Sequence, residues 1–285
     1  MAESKQTLLT GLANTHKRPV NLLQTRVVQV VLPWLLPALL LLAWQAVSTW
    51  QLLPEQYLRN ISSPWAVVQA GWGLLVSGEL WGHLGISAAR AAAGLLVGGV
   101  VGLTLGVATG LSPLLRTLLD TTLQMLRNIL HLALIPLVIL WFGIDETAKL
   151  FLIAVSVFFP IYLNTFHGIR NVDPGLIEMG RSYGLSRWQL YREVILPGAM
   201  SSILVGLRFS LGLMWVILIV AETISAQAGI GYLTMNAREF LQTDIVLVGI
   251  LLYALLGKLA DAFARGLERY WLRWHPGYQR ASATA

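Results

Sequence analysis

The residues of this sequence that could act on a small anion are charged or polar groups inside long apolar segments. Arg208 is the clearest of them, because it interrupts the apolar segment from Met200 to Ala221. An arginine at the centre of a membrane helix costs roughly 2.5–3.5 kcal/mol, and the twelve Leu, Ile, Phe and Val residues of this segment offset it by roughly 4–7 kcal/mol. Arg208 therefore either faces a wet pathway or extends its side chain to the cytoplasmic interface, and both interpretations stay open.

Four further polar residues lie at or inside apolar segments: Arg90, His131, Asn164 and His167. For His131, Asn164 and His167, a hydrogen bond between helices is favoured over ligand binding, because polar side chains in membrane helices commonly bond to one another. Arg90 opens its segment on the outer side, and a side chain extended to the interface is the favoured interpretation there. The predicted translocation pathway consists of Arg208, His131, Asn164 and His167, and it does not include Arg90.

Several kinds of chemistry are excluded or disfavoured by residue type. The sequence has no cysteine, which excludes disulfides, iron–sulfur clusters and thiol nucleophiles, and its five histidines show no metal-binding spacing. It has no Gly-x-x-x-x-Gly-Lys-Ser/Thr phosphate-binding loop, since Lys258 follows Gly257 but precedes Leu259. The apolar segments contain no pair of carboxylates that would suggest a proton relay. We therefore expect no catalytic residues, no metal and no cofactor, and a membrane-embedded enzyme is disfavoured.

The elements that must position these residues are membrane-spanning helices. The 285-residue chain is 56% apolar and 12% charged with a mean hydropathy of +0.66, whereas soluble domains are about 25% charged. A helix needs about 20 apolar residues to cross the hydrocarbon. Six segments meet or approach this length: 27–50, 91–111, 128–144, 150–169, 200–221 and 245–264. The sequence thus predicts an all-α polytopic membrane protein with six transmembrane helices.

Two of these segments carry further expectations. The third contains Pro136 and only 17 residues free of charge, so it is expected to recruit part of the preceding residues 118–127. The sixth contains Lys258 and Asp261, whose spacing places them on one helix face, where they are expected to neutralise each other.

The distribution of basic residues predicts the orientation of the helices. Fourteen of the 20 Lys and Arg residues lie in the N-terminal tail, the second and fourth connections and the C-terminal segment, against three in the alternate connections. Both termini are therefore predicted to be cytoplasmic. The predicted organisation is a cytoplasmic tail over 1–26, a membrane domain over 27–276 and a C-terminal tail over 277–285. Because this topology explains the formal charge of +6, no nucleic acid is expected as a partner.

A stripe of glycines marks one face of the second predicted span. The glycines recur every four residues, at Gly94, Gly98, Gly102, Gly106 and Gly110. Without side chains on this face, another helix backbone can approach closely. The stripe is interpreted as a packing surface, and it says nothing about a substrate.

The longest connection predicted on the cytoplasmic side, residues 170–199, reads as two short helices. Asp173 can cap a helix that begins with Pro174, and Gly184 ends it. The second helix starts with Ser186 and Gln189 as a capping box, accompanied by Leu185 and Leu190 as a hydrophobic staple, and it runs toward Pro197.

The first of these helices has an apolar stripe beside two charges. Leu176, Ile177, Gly180 and Tyr183 form the stripe, and Glu178 and Arg181 flank it. Such a helix suits either docking to a protein partner or lying on lipid headgroups, and the spacing alone leaves both open.

This connection resembles a known motif. Glu178-Met179-Gly180, then Gly184, then Val194-Ile195-Leu196-Pro197, is similar to the Glu-Ala-Ala loop of type I permeases of bacterial ATP-binding-cassette importers, with matching spacing. The resemblance covers nearly the whole chain beyond the N-terminal tail, with a core over about 83–264. It includes residues 77–81, 134–146, 168–171, 221–225 and 235–244. Within that family the sequence most resembles aliphatic sulfonate permeases, in the nitrate, sulfonate and taurine group.

The resemblance implies a multi-pass inner-membrane permease that works as a homodimer in the lipid bilayer. Its implied partners are two copies of a cytoplasmic ATPase, which would dock on the loop, and a periplasmic sulfonate-binding protein. The implied mechanism is alternating access, with ATPase closure passed to the spans and hydrolysis resetting the transporter. The implied ATPase-coupling residues are Glu178, Gly180, Arg181, Gly184 and Pro197.

The sequence departs from the family pattern in a few places. Met179, Gly180 and Val194 replace two alanines and an isoleucine, and Leu130 and Ser201 stand where relatives usually carry proline. Because glycine weakens a helix by about 1 kcal/mol relative to alanine, docking is expected to be looser here. Taurine or nitrate is the alternative cargo, and an autonomous secondary anion carrier is the rival class.

Overall fold

The computed structural model of the chain describes residues 26–50, 54, 61–127 and 131–272. The described residues contain helices and turns and no β-strand, which confirms the all-α class. Residues 1–25 of the predicted N-terminal tail, the C-terminal tail over 277–285 and the side chain of His131 lie outside the described residues.

The helices of the described residues are numbered in chain order. They are α1 (Arg26–Thr49), α2 (Pro64–Val76), α3 (Glu79–Leu111), α4 (Pro113–Arg127), α5 (Ile135–Phe142), α6 (Glu146–Arg170), α7 (Pro174–Ser182), α8 (Arg187–Leu190), α9 (Leu196–Ser225), α10 (Ile230–Glu239) and α11 (Thr243–Trp271). A 3-10 turn over His131–Leu134 precedes α5, and a π-helical turn over Tyr191–Ile195 joins α8 to α9.

The chain divides into two compact units, residues 1–65 and 66–285. In the first unit, α1 is a 24-residue apolar helix with Pro33 and Pro37 inside it. The backbone N–H of Trp65 donates a hydrogen bond of 3.2 Å to Oε1 of Gln45, near the end of this helix. The second unit holds the remaining long helices.

Five helical stretches of the described residues are long and apolar enough to cross a membrane: α1, α3, α6, the continuous helix over Arg187–Ile224 and α11. The shorter helix α2 is also apolar. The segments predicted as the first, second, fourth, fifth and sixth spans are thus confirmed. The second, fifth and sixth helices extend well beyond their predicted segments.

The segment predicted as the third span folds differently. Its described part is the 3-10 turn followed by α5, which has eight residues and is about 12 Å long, too short to cross the bilayer alone. Pro136 lies in the first turn of α5, where its missing N–H is tolerated. Gly143, with φ of 74°, ends the helix. Residues 118–127, which were expected to join this span, belong to the separate helix α4.

The glycine stripe of α3 packs directly against α6, which confirms its interpretation as a packing surface. An added Cβ at Gly102 would lie 2.7 Å from the carbonyl oxygen of Phe158, and one at Gly98 would overlap the carbonyl oxygen of Ala154. Helix α6 also packs against α9, so it lies in the core of the second unit. The core residues include Ile153 and Val157.

Gly98→Ala is expected to destabilise the protein by about 1–3 kcal/mol, because the new methyl group meets backbone that cannot move independently. Gly82→Ala in the same helix is the matched control. A Cβ at Gly82 meets nothing within 4 Å, so alanine is expected to be neutral or slightly stabilising there. Thermal denaturation of the purified protein in detergent compares the two, and equal midpoints would contradict the close approach.

Candidate functional site

The connecting loop (residues 171–195) has the helix ends that its sequence predicts. Oδ1 of Asp173 accepts a hydrogen bond of 2.8 Å from the N–H of Gly175 at the start of α7. After α7, the N–H of Gly184 donates to the carbonyl of Arg181, and the N–H of Leu185 donates to the carbonyl of Gly180. This is a Schellman ending, and it requires the positive φ of 80° that Gly184 adopts.

The second helix of the loop also starts as predicted but does not stop where expected. The N–H of Gln189 donates to Oγ of Ser186 and the N–H of Ser186 donates to Oε1 of Gln189, which is the predicted capping box. The helix then continues through the π-helical turn, where the N–H of Leu196 donates to the carbonyl of Tyr191. Pro197 falls in the first turn of α9 and is accommodated there. The connecting loop therefore leads into a membrane helix without a break.

Gly180 has a packing role in the loop. The sequence alone indicated only that a glycine at this position weakens the helix. The residue is buried, and an added Cβ would lie 2.8 Å from Cδ1 of Leu190 and 3.2 Å from Cδ1 of Leu185. Glycine thus lets α7 lie close against α8. Both leucines pack against Gly180, and this packing fixes the two short helices relative to each other.

The outer side of α7 remains open. Leu176, Met179 and Tyr183 are exposed by 45%, 52% and 80%, and they border an apolar groove of about 480 Å³. Glu193 and Pro197 line the same groove. Glu178 and Arg181 are exposed beside it. The arrangement presents an apolar surface framed by charge, as expected of a docking site for protein.

A buried ion cluster, in which Glu146 alone is half-exposed, lies at the opposite end of the helices from the connecting loop. Its members are Ser87 and Arg90 of α3, Glu146 and Lys149 at the start of α6, and Glu222 near the end of α9. The guanidinium of Arg90 donates two hydrogen bonds, of 2.7 and 2.6 Å, to the carboxylate of Glu146 and one of 2.8 Å to Glu222. Lys149 pairs with Glu146 at 2.9 Å.

The Glu222 side chain is fully buried, and each of its oxygens has partners. Oγ of Ser87 lies 2.7 and 2.9 Å from its two oxygens, and the N–H of Gly231 donates to Oε2 at 2.9 Å. Two positive and two negative charges balance within the cluster. A buried carboxylate is tolerable only with such compensation.

The same cluster holds the turn between α9 and α10. Arg90 donates to the carbonyl of Ala228 at 2.6 Å, and Oγ of Ser87 accepts from the N–H of Ile230 at 2.9 Å. Nδ1 of His83 accepts from the N–H of Gly229 at 3.1 Å. A Cβ at Gly229 would come within 2.7 Å of Nη1 of Arg90, and φ there is 121°, so only glycine fits.

Sequence reasoning missed this cluster. The interpretation that Arg90 extends to the interface is wrong, because its side chain is buried and bonded to two carboxylates. Glu146 and Glu222 share one guanidinium just outside the predicted segments 150–169 and 200–221, so the expectation of no paired carboxylates inside those segments stays a prediction. The available signal was that Arg90 and Glu222 both lie in apolar surroundings, where an unpaired charge would be costly.

Arg208 belongs to a second cluster, between α9 and α11. Its Nε donates to Oδ1 of Asp261 at 2.8 Å, and its Nη1 lies 3.8 Å from Oε2 of Glu268. Arg265 bonds the other oxygen of Asp261. The predicted pairing of Lys258 with Asp261 is therefore wrong. The carboxylate is bonded instead by Arg265, one turn along the same helix, and by Arg208 on the facing helix α9.

The residues predicted for the translocation pathway are not gathered in one place. Asn164 lies on the side of α6 that faces α9. Its Nδ2 donates to the carbonyl of Pro160, and its main-chain carbonyl accepts from Oγ of Ser202. His167 is exposed one turn further along α6. Arg208 points to the other face of α9, toward α11. In the described part of a single chain, Asn164 and His167 are neighbours on α6, and Arg208 lies apart from both.

The chain is similar in sequence to several known transport permeases. It is 62% identical to the aliphatic sulfonates transport permease protein SsuC of Escherichia coli K12, over 89% of this chain and 95% of that protein. It is 45% identical to the SsuC protein of Bacillus subtilis 168, over 86% and 88% of the two chains. The taurine transport system permease protein TauC of Escherichia coli K12 is 37% identical, over 84% and 87%.

A solved structure and a family model agree with these relatives. A crystal structure of an amino acid ATP-binding-cassette transporter with histidines matches with a TM-score of 0.50 and 20% identity, over 64% of this chain and 91% of that chain, and this confirms the fold. The model of the binding-protein-dependent transport system inner membrane component matches residues 98–272. The chain belongs to this family of multi-pass inner-membrane transport proteins.

Proposed function

We propose that the protein is the membrane-spanning subunit of an ATP-binding-cassette importer that carries aliphatic sulfonates across the inner membrane. The observation that carries the cargo is the 62% identity, over most of both chains, to a permease named for aliphatic sulfonates. The lower identity of 37% to a permease named for taurine makes taurine the weaker alternative. The protein itself acts as a gate and not as an enzyme.

The connecting loop is the proposed contact with the ATPase. Its exposed apolar groove, bordered by Leu176, Met179 and Tyr183, suits a protein partner better than water. The proposed coupling residues are Glu178, Gly180, Arg181, Gly184 and Pro197. Glu178 and Arg181 would contact the partner directly, whereas Gly180 and Gly184 shape the loop and Pro197 marks its entry into α9.

Motion of the ATPase would reach the membrane through the continuous helix over Arg187–Ile224. A helix without a break transmits displacement of one end to the other. In the proposed homodimer, two such helices, each driven by one ATPase copy, would open the path between the two copies. The path would include Arg208, and His131, Asn164 and His167 are further proposed pathway residues.

The proposed orientation places the connecting loop and both termini in the cytoplasm. The basic residues of the chain support this, since they concentrate on the side of the loop. The buried ion cluster and α10 would then lie at the outer face. A binding protein that delivers the sulfonate would approach that face.

Uptake by reconstituted vesicles tests the proposal. Vesicles containing the protein, its ATPase inside and its binding protein outside are expected to accumulate an alkanesulfonate in the presence of ATP. Taurine and nitrate are the comparison solutes. Uptake of only these two would contradict the cargo, and ATP-independent uptake by the protein alone would favour a secondary carrier instead.

A further inference from the structure

We propose that the groove beside Arg208 is a cargo subsite within the membrane domain, and that Asp261 is the counter-ion that Arg208 exchanges for the sulfonate. The proposal rests on the proposed function, because it takes an aliphatic sulfonate as cargo. It adds the residues of this chain that would contact the sulfonate and the alkyl chain.

The depth of Arg208 argues against contact with lipid. At about 1.5 Å per residue, Arg208 lies roughly 17 Å along the helix from Pro197 and roughly 21 Å from Glu222, so it lies within the apolar stretch of α9 and not at either end of the helix. Its side chain is 44% exposed and that of Asp261 is 33% exposed in the single chain. Charged side chains at this depth face a protein interior or a water-filled cavity. We therefore take the groove to face the pathway between the two copies of the proposed homodimer.

The groove is chemically complementary to an amphiphilic anion. It has a volume of about 480 Å³ and contains Arg208 and Asp261 at one wall. Its other lining residues are apolar and include Val205, Phe209, Gly212 and Val216, which follow one face of α9. A sulfonate could bind the guanidinium while its alkyl chain lies along this face.

The hydrogen bonds of Asp261 allow Arg208 to be released. Arg208 uses Nε for Asp261, and its Nη1 is 3.8 Å from Glu268, longer than a hydrogen bond. The forked edge of the guanidinium, which suits the oxygens of an oxyanion, is thus held only loosely. When the sulfonate takes Arg208, Arg265 stays bonded to Asp261 and keeps that carboxylate compensated.

Filling the groove tests the alkyl-chain site without disturbing the fold. A Cβ at Gly212 meets nothing within 4 Å, so Gly212→Leu is expected to fold normally while occupying the groove. In the vesicle assay we expect about tenfold lower uptake of octanesulfonate and less than about threefold lower uptake of methanesulfonate. Because one binding protein serves all variants, a change in this ratio reports on the membrane subunit.

Gly266→Leu is the matched control. Gly266 is also in open space and lies on α11 outside the groove, so its variant is expected to keep the ratio of the parent protein. If Gly212→Leu also kept that ratio, the alkyl-chain site would be refuted.

Two charge variants test the exchange of counter-ion. Arg208→Gln is expected to lower uptake of both sulfonates at least about tenfold, whereas Asp261→Asn is expected to raise uptake about threefold at low sulfonate concentration, because an amide competes less well than a carboxylate for the guanidinium. Unchanged uptake by Asp261→Asn would contradict the exchange. An ion pair that merely joins α9 to α11 would instead make both variants lose uptake equally. That result would overturn the exchange, as would full uptake by Arg208→Gln. Absence of sulfonate uptake by the parent protein would overturn the proposed function as well, which separates the two failures.

Discussion

Glu178→Lys is expected to abolish sulfonate uptake, with a loss of roughly 100-fold or more, while the protein still inserts in the membrane. Glu178 is exposed on α7 beside the apolar groove of the connecting loop, and no ion pair holds it among the described residues. Reversing its charge therefore changes the folded chain little. At a protein interface, by contrast, a reversed charge at a central contact weakens binding by several kcal/mol. Vesicle uptake and co-purification of the ATPase measure the two consequences.

Glu239→Lys serves as the matched control for this experiment. It makes the same charge change at an exposed position near the end of α10, far from the connecting loop. ATPase co-purification is expected to be unaffected. If Glu178→Lys bound the ATPase and moved sulfonate at the parent rate, docking on α7 would be refuted.

Gly184→Trp tests docking on the same surface by adding steric bulk instead of reversing a charge. A Cβ at Gly184 meets nothing within 4 Å, so the indole would project into the space that a docked partner needs. The positive φ adds a cost of about 1–2 kcal/mol for any residue other than glycine. Gly184→Ala carries the same backbone cost without the bulk. Loss of uptake in the tryptophan variant alone would locate the effect at the docked surface.

Arg90→Gln is expected to produce the largest loss of stability, roughly 3–5 kcal/mol. The guanidinium of Arg90 compensates the fully buried carboxylate of Glu222 and bonds Glu146. Removing it leaves a buried charge without its partner, which costs far more than the net value of the intact pair. The thermal midpoint of the protein in detergent is expected to fall by roughly 10 °C.

A double variant separates the lost charge compensation from lost packing. Adding Glu222→Gln to Arg90→Gln removes the uncompensated charge and keeps an amide that can accept from Ser87 and Gly231, so part of the stability is expected to return. Glu79→Gln is the control at an exposed carboxylate, whose contact to Nε2 of His83 is 3.8 Å long and worth less than about 1 kcal/mol. A midpoint for Arg90→Gln equal to that of Glu79→Gln would contradict the role of the cluster.

The two clusters divide α9 into regions with different tasks. At one end, the buried ion cluster joins α9 to α3, to α6 and to the turn before α10. Near its middle, the exposed pair of Arg208 and Asp261 is open to exchange. We expect the first region to move as a rigid part of each copy and the second to respond to cargo.

Local features of this chain were predictable from the sequence. The apolar lengths predicted most of the membrane helices, because the energy of burying a segment in lipid depends on its own composition. Helix ends at Asp173, Gly184 and Ser186 were predictable because a cap involves residues only a few positions apart. The glycine stripe indicated a packing face, since its period matches the helix itself.

The sequence by itself thus determined the all-α class, five of the six predicted spans, the caps and the family motif of the connecting loop. Only the tertiary structure decided which charges meet. Arg90 and Glu222 are 132 residues apart in the chain, and Arg208 and Asp261 are 53 apart. No periodicity links residues at such separations, because their contact depends on how whole helices pack. For the same reason the break in the third predicted span and the partner of Asp261 emerged only with the folded chain.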